Sequence, residues 1–150
     1  MSNKKINSGQ SMFEIVVALA VSALIITGIV SLVAGSVRNS TYSKNSSRAA
    51  VYAQQATEWL RGQRDGDIDG FLVRAQSPVW CLKDLSWTLQ RACIDGDEVS
   101  DTLFKRQLNF SITTDNNKTL IETDVTVYWQ DSQGKHEVKS ATNFSDWRQR

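Results

Sequence analysis

The feature that most constrains this chain is a run of 23 residues without a charged side chain, from Ile15 to Val37. A helix of about 20 apolar residues is long enough to cross a lipid bilayer. The run therefore predicts one membrane-spanning helix near the N-terminus. Residues 38–150 then remain for a single small folded domain.

The charges before this run predict its orientation in the membrane, and the charges after it argue against a nucleic-acid partner. Lys4 and Lys5 are the only charged residues before Glu14. Positively charged flanks stay in the cytoplasm, so we expect a single pass through the inner membrane with the N-terminus inside. Beyond Val37 the chain carries 15 basic and 15 acidic residues. A neutral domain lacks the charge of a nucleic-acid-binding surface, and we expect no nucleic-acid partner.

The residues bordering the run allow three interpretations. Val33-Ala34-Gly35 could end a conventional secretory signal, or the run could be an uncleaved signal anchor. The third interpretation uses Lys4-Lys5, Gly9 and the stretch Gln10-Ser11-Met12-Phe13-Glu14 together with the apolar helix. This pattern resembles the class III leader of type IV prepilins, although that family usually has phenylalanine where Gln10 stands.

The resemblance implies a set of roles for these residues. A prepilin peptidase would cut between Gly9 and Gln10, and the new N-terminus at Gln10 would be methylated. Glu14 would pair with the terminal amine of a neighbouring pilin subunit, since a charge within a bilayer costs about 2.5–3.5 kcal/mol and is normally paired. The alternative is that Glu14 only complements its own helix dipole. The stretches "TEWLRGQRD" and "VTVYWQDSQGKHEV" further resemble minor pilins of the PilV type.

Helical periodicity predicts that the apolar helix continues beyond the membrane. Apolar residues recur at helical spacing on one face, and Gly62 is a suitable helix end. The polar segment 36–47 predicts a weak or locally extended interruption. We therefore divide the chain into a leader (1–9), a transmembrane part (10–37), an amphipathic part (38–62) and a globular head (63–150). The amphipathic face consists of Ala49, Tyr52, Ala53, Ala56 and Leu60.

Alternating apolar residues predict an antiparallel sheet in the head. Strands are expected at 103–113, 119–130 and 135–144, separated by turns at 115–117 and 131–134, with a fourth strand left open. Ile112 is expected on the core face of its strand, and Arg106 interrupts that face. A long helix packed on such a sheet gives an α+β fold, which is also the architecture that the pilin resemblance implies.

Two sets of side chains in the head could form covalent or metal-binding sites. Cys81 and Cys93 are expected to form a disulfide if the head is exported, with free thiols or a metal site as the alternatives. Asp65, Asp67 and Asp69 before Gly70 match the opening of a calcium loop, but Gln76 occupies the place of the closing glutamate. The alternative is an acidic surface turn. Asp95, Asp97 and Glu98 belong to another acidic loop, which we expect to be a plain part of the surface.

These observations favour a structural role. With His136 as its one histidine, the sequence offers no triad, and it has no phosphate-binding loop, so we expect neither an enzyme nor a cofactor. The resemblance implies a minor pilin that reaches a cell-surface filament. One alternative is a minor pseudopilin of a type II secretion or competence system. Another is a membrane-anchored binding domain that is never cleaved or polymerised.

Overall fold

The computed structural model describes residues 8–115 and 118–145 and divides the chain into two compact units, Met1–Ser43 and Lys44–Arg150. The predicted α+β class is confirmed, because a long N-terminal helix accompanies a four-stranded antiparallel sheet. The elements are α1 (Ser8–Gly66), α2 (Ile68–Ala75), β1 (Val79–Cys81), β2 (Lys105–Asp115), β3 (Lys118–Asp131) and β4 (Gly134–Ser145).

Helix α1 corrects two predictions. The polar segment 36–47 is helical throughout, and the Thr41 hydroxyl donates to the Val37 carbonyl, four residues earlier, at 3.0 Å. Gly62 does not end the helix, which continues to Gly66. The end comes where Asp67 starts α2: its side chain caps that helix by accepting from the Gly70 amide.

The part of α1 in the first unit has no core of its own. Every described side chain from Met12 to Ser43 is exposed, and an 18-residue window of the helix reaches a mean hydropathy of 2.7 with 0% of it buried. Twenty-three uncharged residues span roughly 35 Å at about 1.5 Å per residue, which exceeds the ~30 Å of a bilayer core. The helix is therefore long and apolar enough to cross a membrane.

In the second unit the four strands form an antiparallel meander in the order β1-β2-β3-β4. The three long strands lie within two residues of their predicted bounds, and β1 is the fourth strand. The predicted turn at 131–134 joins β3 to β4, with Gly134 at a φ of 123° and the Asp131 carboxylate accepting from the Gln133 amide. The other predicted turn falls partly on residues 116–117, outside the described residues.

One face of the sheet packs against the helix residues of the same unit. Ala49, Ala53, Ala56 and Leu60 are all buried, and small alanine side chains allow the backbone to approach closely. The Thr57 and Ser140 hydroxyls hydrogen-bond at 3.2 Å across this contact. The predicted amphipathic face is confirmed. The strands contribute Leu108, Phe110, Ile121, Val125, Val127 and Trp129, and Phe104 lies directly before β2.

Two residues of β2 differ from what simple alternation predicts. Ile112 is 42% exposed, because it lies close to the end of the strand, where few neighbours can cover it. Arg106 is only 2% exposed and donates to the carbonyls of Leu82 at 3.0 Å and Tyr52 at 3.3 Å. Burial lowers the pKa of this guanidinium to about 10. The buried cation thus ties together the strand, the helix and the segment after β1.

We expect Leu60→Ala to lower the free energy of unfolding by about 2–5 kcal/mol, because the substitution leaves a cavity at a fully buried position. Urea unfolding of the full chain in a mild detergent, followed by tryptophan fluorescence, measures the change. Val51→Ala on the same helix is the matched control, since Val51 is 50% exposed. A loss for Val51→Ala as large as that for Leu60→Ala would contradict this account of the core.

Candidate functional site

The first candidate site is the start of α1. Ser8, Gly9 and Gln10 form its first turn, and Glu14 follows Gln10 by four residues, about one helical turn. Glu14 is exposed and makes no hydrogen bond or ion pair with any residue in the described ranges. The cleavage at Gly9–Gln10, the methylation of Gln10 and the assembly role of Glu14 stay predictions.

The second candidate site is in the second unit and begins at the disulfide. Cys81 at the end of β1 is bonded to Cys93, which confirms the predicted pairing. The Tyr128 hydroxyl donates to the Cys93 carbonyl at 3.2 Å, and the Cys93 amide donates to Gln107 Oε1 at 3.4 Å. The disulfide and these bonds hold the loop after Cys93 against β2 and β3.

Asp97 organises that loop, contrary to the prediction of a plain surface position. The residue is 7% exposed, and its carboxylate accepts from Arg91 Nη1 at 2.5 Å, Arg91 Nη2 at 3.1 Å and the Ile94 amide at 2.9 Å. These hydrogen bonds, of which those from Arg91 have the largest effect, hold the pKa of Asp97 below its ordinary value. The carboxylate therefore fixes both the turn at Ile94 and the arginine beside it.

A second charged group lies next to this turn. The Lys105 ammonium forms an ion pair with Asp95 and lies 3.5 Å from Glu98 Oε1, so two carboxylates share one cation. The hydrogen bond from Lys105 lowers the pKa of Asp95, and the same bond raises the pKa of Lys105. Asp95 is fully exposed despite this pairing, so its free oxygen is accessible to a partner.

These groups line a cleft of about 610 Å³, which we call the hairpin cleft because it opens beside the β3–β4 turn. Its volume falls within the range of small-molecule and cofactor sites, roughly 300–1,000 Å³. Lys135 lies over the Tyr128 ring at 4.4 Å. The other lining residues are Cys93, Ile94, Asp95, Glu98, Leu103, Lys105, Trp129 and Gln130.

The three carboxylates of the proposed calcium loop are used differently. Asp65 pairs with Arg64 at 2.7 Å at the end of α1, and Asp67 caps α2 by accepting from the Gly70 amide at 2.9 Å. Asp69 lies in the first turn of α2. A Cβ at Gly70 would lie 2.0 Å from Asp67 Oδ2, so the glycine is needed for the cap. Among the described residues, no group of three His, Cys, Asp or Glu is placed to hold a metal ion, and calcium binding at 65–70 stays an untested prediction.

Sequence reasoning missed the Asp97 network and the cleft. Arg91 and Asp97 are six residues apart, and Lys105 meets carboxylates seven and ten residues before it. No short periodicity produces such contacts. The one available signal is the cysteine pair, because a disulfide at Cys93 fixes the point from which the following loop begins.

No protein-family profile, curated protein or solved structure shows a significant match to this chain. What the structure itself shows is an apolar N-terminal helix, an antiparallel sheet packed on helix residues 44–66, and one disulfide. This combination is pilin-like in its architecture.

We expect Asp97→Asn to lower the melting temperature at pH 7, because the amide cannot replace the charged acceptor of Arg91 and Ile94. The pKa of Asp97 is lowered in the folded chain, so its stabilisation is present above about pH 4, the ordinary aspartate value, and is lost as the pH falls below that. Melting curves by circular dichroism at pH 7 and pH 3 should show the difference from wild type shrinking at pH 3. The exposed Asp101→Asn is the matched control, and an equal loss there would refute the assignment.

Proposed function

We propose that this protein is a pilin-like subunit of a type IV pilus or a related filament. The observation that carries the proposal is the α1 surface from Met12 to Ser43, which is apolar over most of its length and which its own unit leaves entirely exposed. Such a surface requires lipid or other protein chains around it. A single-pass anchor satisfies this before assembly, and a bundle of neighbouring helices satisfies it afterwards.

Glu14 is the group that distinguishes assembly from simple anchoring. Cleavage after Gly9 by a prepilin peptidase creates a cationic amine at Gln10, which is a partner for a carboxylate in a dry helix bundle. An uncompensated charge there is expensive, so pairing with the amine of a neighbour favours one axial register between subunits. Methylation of the Gln10 amine would leave this positive charge in place.

The second unit suits a protein exposed on the outer side of the membrane. Its disulfide is stable in an oxidising compartment, and its near-neutral composition lacks the positive charge of a nucleic-acid-binding domain. We infer a minor pilin of the PilV type, structural and without a cofactor. It would pass from the inner membrane to the filament and contact other pilin subunits there.

The hairpin cleft favours a second candidate function. A cleft of about 610 Å³ held rigid by a disulfide would also suit a membrane-anchored binding domain. That candidate requires neither cleavage after Gly9 nor a carboxylate at Glu14. The two experiments that follow separate it from the filament subunit.

We expect the mature chain to begin at Gln10. Mass spectrometry of protein extracted from membranes should find Gln10 as the first residue, carrying a methyl group. Gly9→Val is the control: it should leave residues 1–9 attached, because the peptidase recognises the glycine in the leaders that this sequence resembles. A wild-type chain that begins at Met1 or Ser2, or at Ser36, would rule out the filament proposal.

We expect Glu14→Ala to reduce incorporation into filaments while leaving cleavage and membrane insertion intact. The carboxylate has no partner among the described residues, so its loss does not affect folding but leaves the amine of a neighbour unpaired. Glu14→Asp should be intermediate, since the shorter side chain keeps the charge. The measurement is the ratio of sheared-filament protein to total membrane protein. Equal ratios in all three proteins would favour the anchored binding domain.

A further inference from the structure

The hairpin cleft combines three kinds of group that together select a partner. Ile94 and Leu103 are 58% and 45% exposed, which gives the cleft an apolar surface open to solvent. Asp95 and Glu98 share the single ammonium of Lys105 and can accept a further cation. Lys135 supplies a separate positive charge. A fitting ligand therefore carries an apolar group, a cation and an anion.

One segment of this chain has that composition. Residues 146–150 read Asp-Trp-Arg-Gln-Arg and follow Ser145, the last described residue of β4. Asp146 complements Lys135, Trp147 complements the aliphatic surface, and Arg148 complements the two carboxylates that share one ammonium. Guanidinium groups match carboxylates with two parallel hydrogen bonds, and Trp and Arg are the residues that most often dominate binding energies at interfaces.

The segment of a chain cannot reach the cleft of the same chain. Tyr128 in the cleft pairs with Glu137, eight residues before Ser145 along β4, which corresponds to about 26 Å of strand. From Ser145, a fully extended chain carries Trp147 at most about 7 Å and Arg148 about 11 Å. The segment that fills the cleft must therefore come from another molecule.

We propose that the hairpin cleft binds residues 146–150 of a second copy of this chain. The cleft lies near the start of β4 and the segment follows its end, so the two contacting surfaces differ. Such a heterologous contact can repeat head to tail, and it generates an open array when the rotation between successive copies does not close a ring. The proposal deepens the filament role and rests on it for its biological setting, but the contact itself does not require cleavage after Gly9.

The direct test is binding of a synthetic peptide of residues 143–150, labelled with a fluorophore, to the full chain in a mild detergent. Fluorescence anisotropy should show saturable binding. Glu98→Lys in the chain, or Arg148→Glu in the peptide, should weaken it at least tenfold. The Arg148→Glu peptide should recover affinity for the Glu98→Lys chain, because the charges are then exchanged. Glu122→Lys is the matched control: it is an exposed carboxylate of the same sheet outside the cleft.

The peptide variants test the contact even if a substitution in the cleft disturbs folding, and Leu103→Gln provides a second cleft variant without a change of charge. A photo-crosslinker at position 147 in cells should join residues 94–103 of another copy. Absence of peptide binding, or binding that Glu98→Lys and Leu103→Gln leave unchanged, would overturn the inference even in a protein that assembles into filaments. Peptide binding by a chain that is never cleaved after Gly9 would instead support the cleft contact and reject the filament proposal.

Discussion

From Met12 to Val37, α1 presents apolar side chains that no described residue of the chain covers. Moving one leucine or isoleucine side chain from water to an apolar environment is favourable by about 1.5–3 kcal/mol, so leaving this many of them in water is strongly unfavourable. The surface must be covered by lipid or by other chains. The two proposed states of the protein, a membrane-anchored chain and then a filament subunit, both meet that requirement.

The second unit meets the same hydrophobic requirement within its own chain. An alanine-rich face of α1 lets the backbone come close to the sheet, and Leu60 fills the space at the end of that face. Buried Arg106 then connects the helix, β2 and the segment that leads to the disulfide. The hairpin cleft depends on this arrangement, since its walls come from a disulfide-tethered loop and from the β3–β4 hairpin.

Period-two alternation made the sheet predictable, because Ile121, Val125 and Val127 belong to one face whatever else the strand contacts. The end of α1 was not predictable from Gly62, because a glycine permits a helix to end but does not require it. The helix continues to Gly66, and the next residue, Asp67, caps α2. The arrangement of the three aspartates was also not predictable. A calcium loop would direct alternate carboxylates towards one ion, whereas here Asp67 caps α2 and Asp69 lies in the first turn of that helix.

The sequence by itself determined the apolar span, the alternation of the strands and the cysteine pair, because each depends on residues that are close in the chain or on solvent alone. Only the tertiary structure decided which charges are buried. Asp97 and Arg106 look like surface residues in sequence, and their burial depends on partners brought near by folding: Arg91 and the Ile94 amide for Asp97, and backbone carbonyls 24 and 54 residues away for Arg106. Electrostatic and hydrogen-bond energies depend on the distance between groups in space, and the separation of two residues along the chain does not specify that distance.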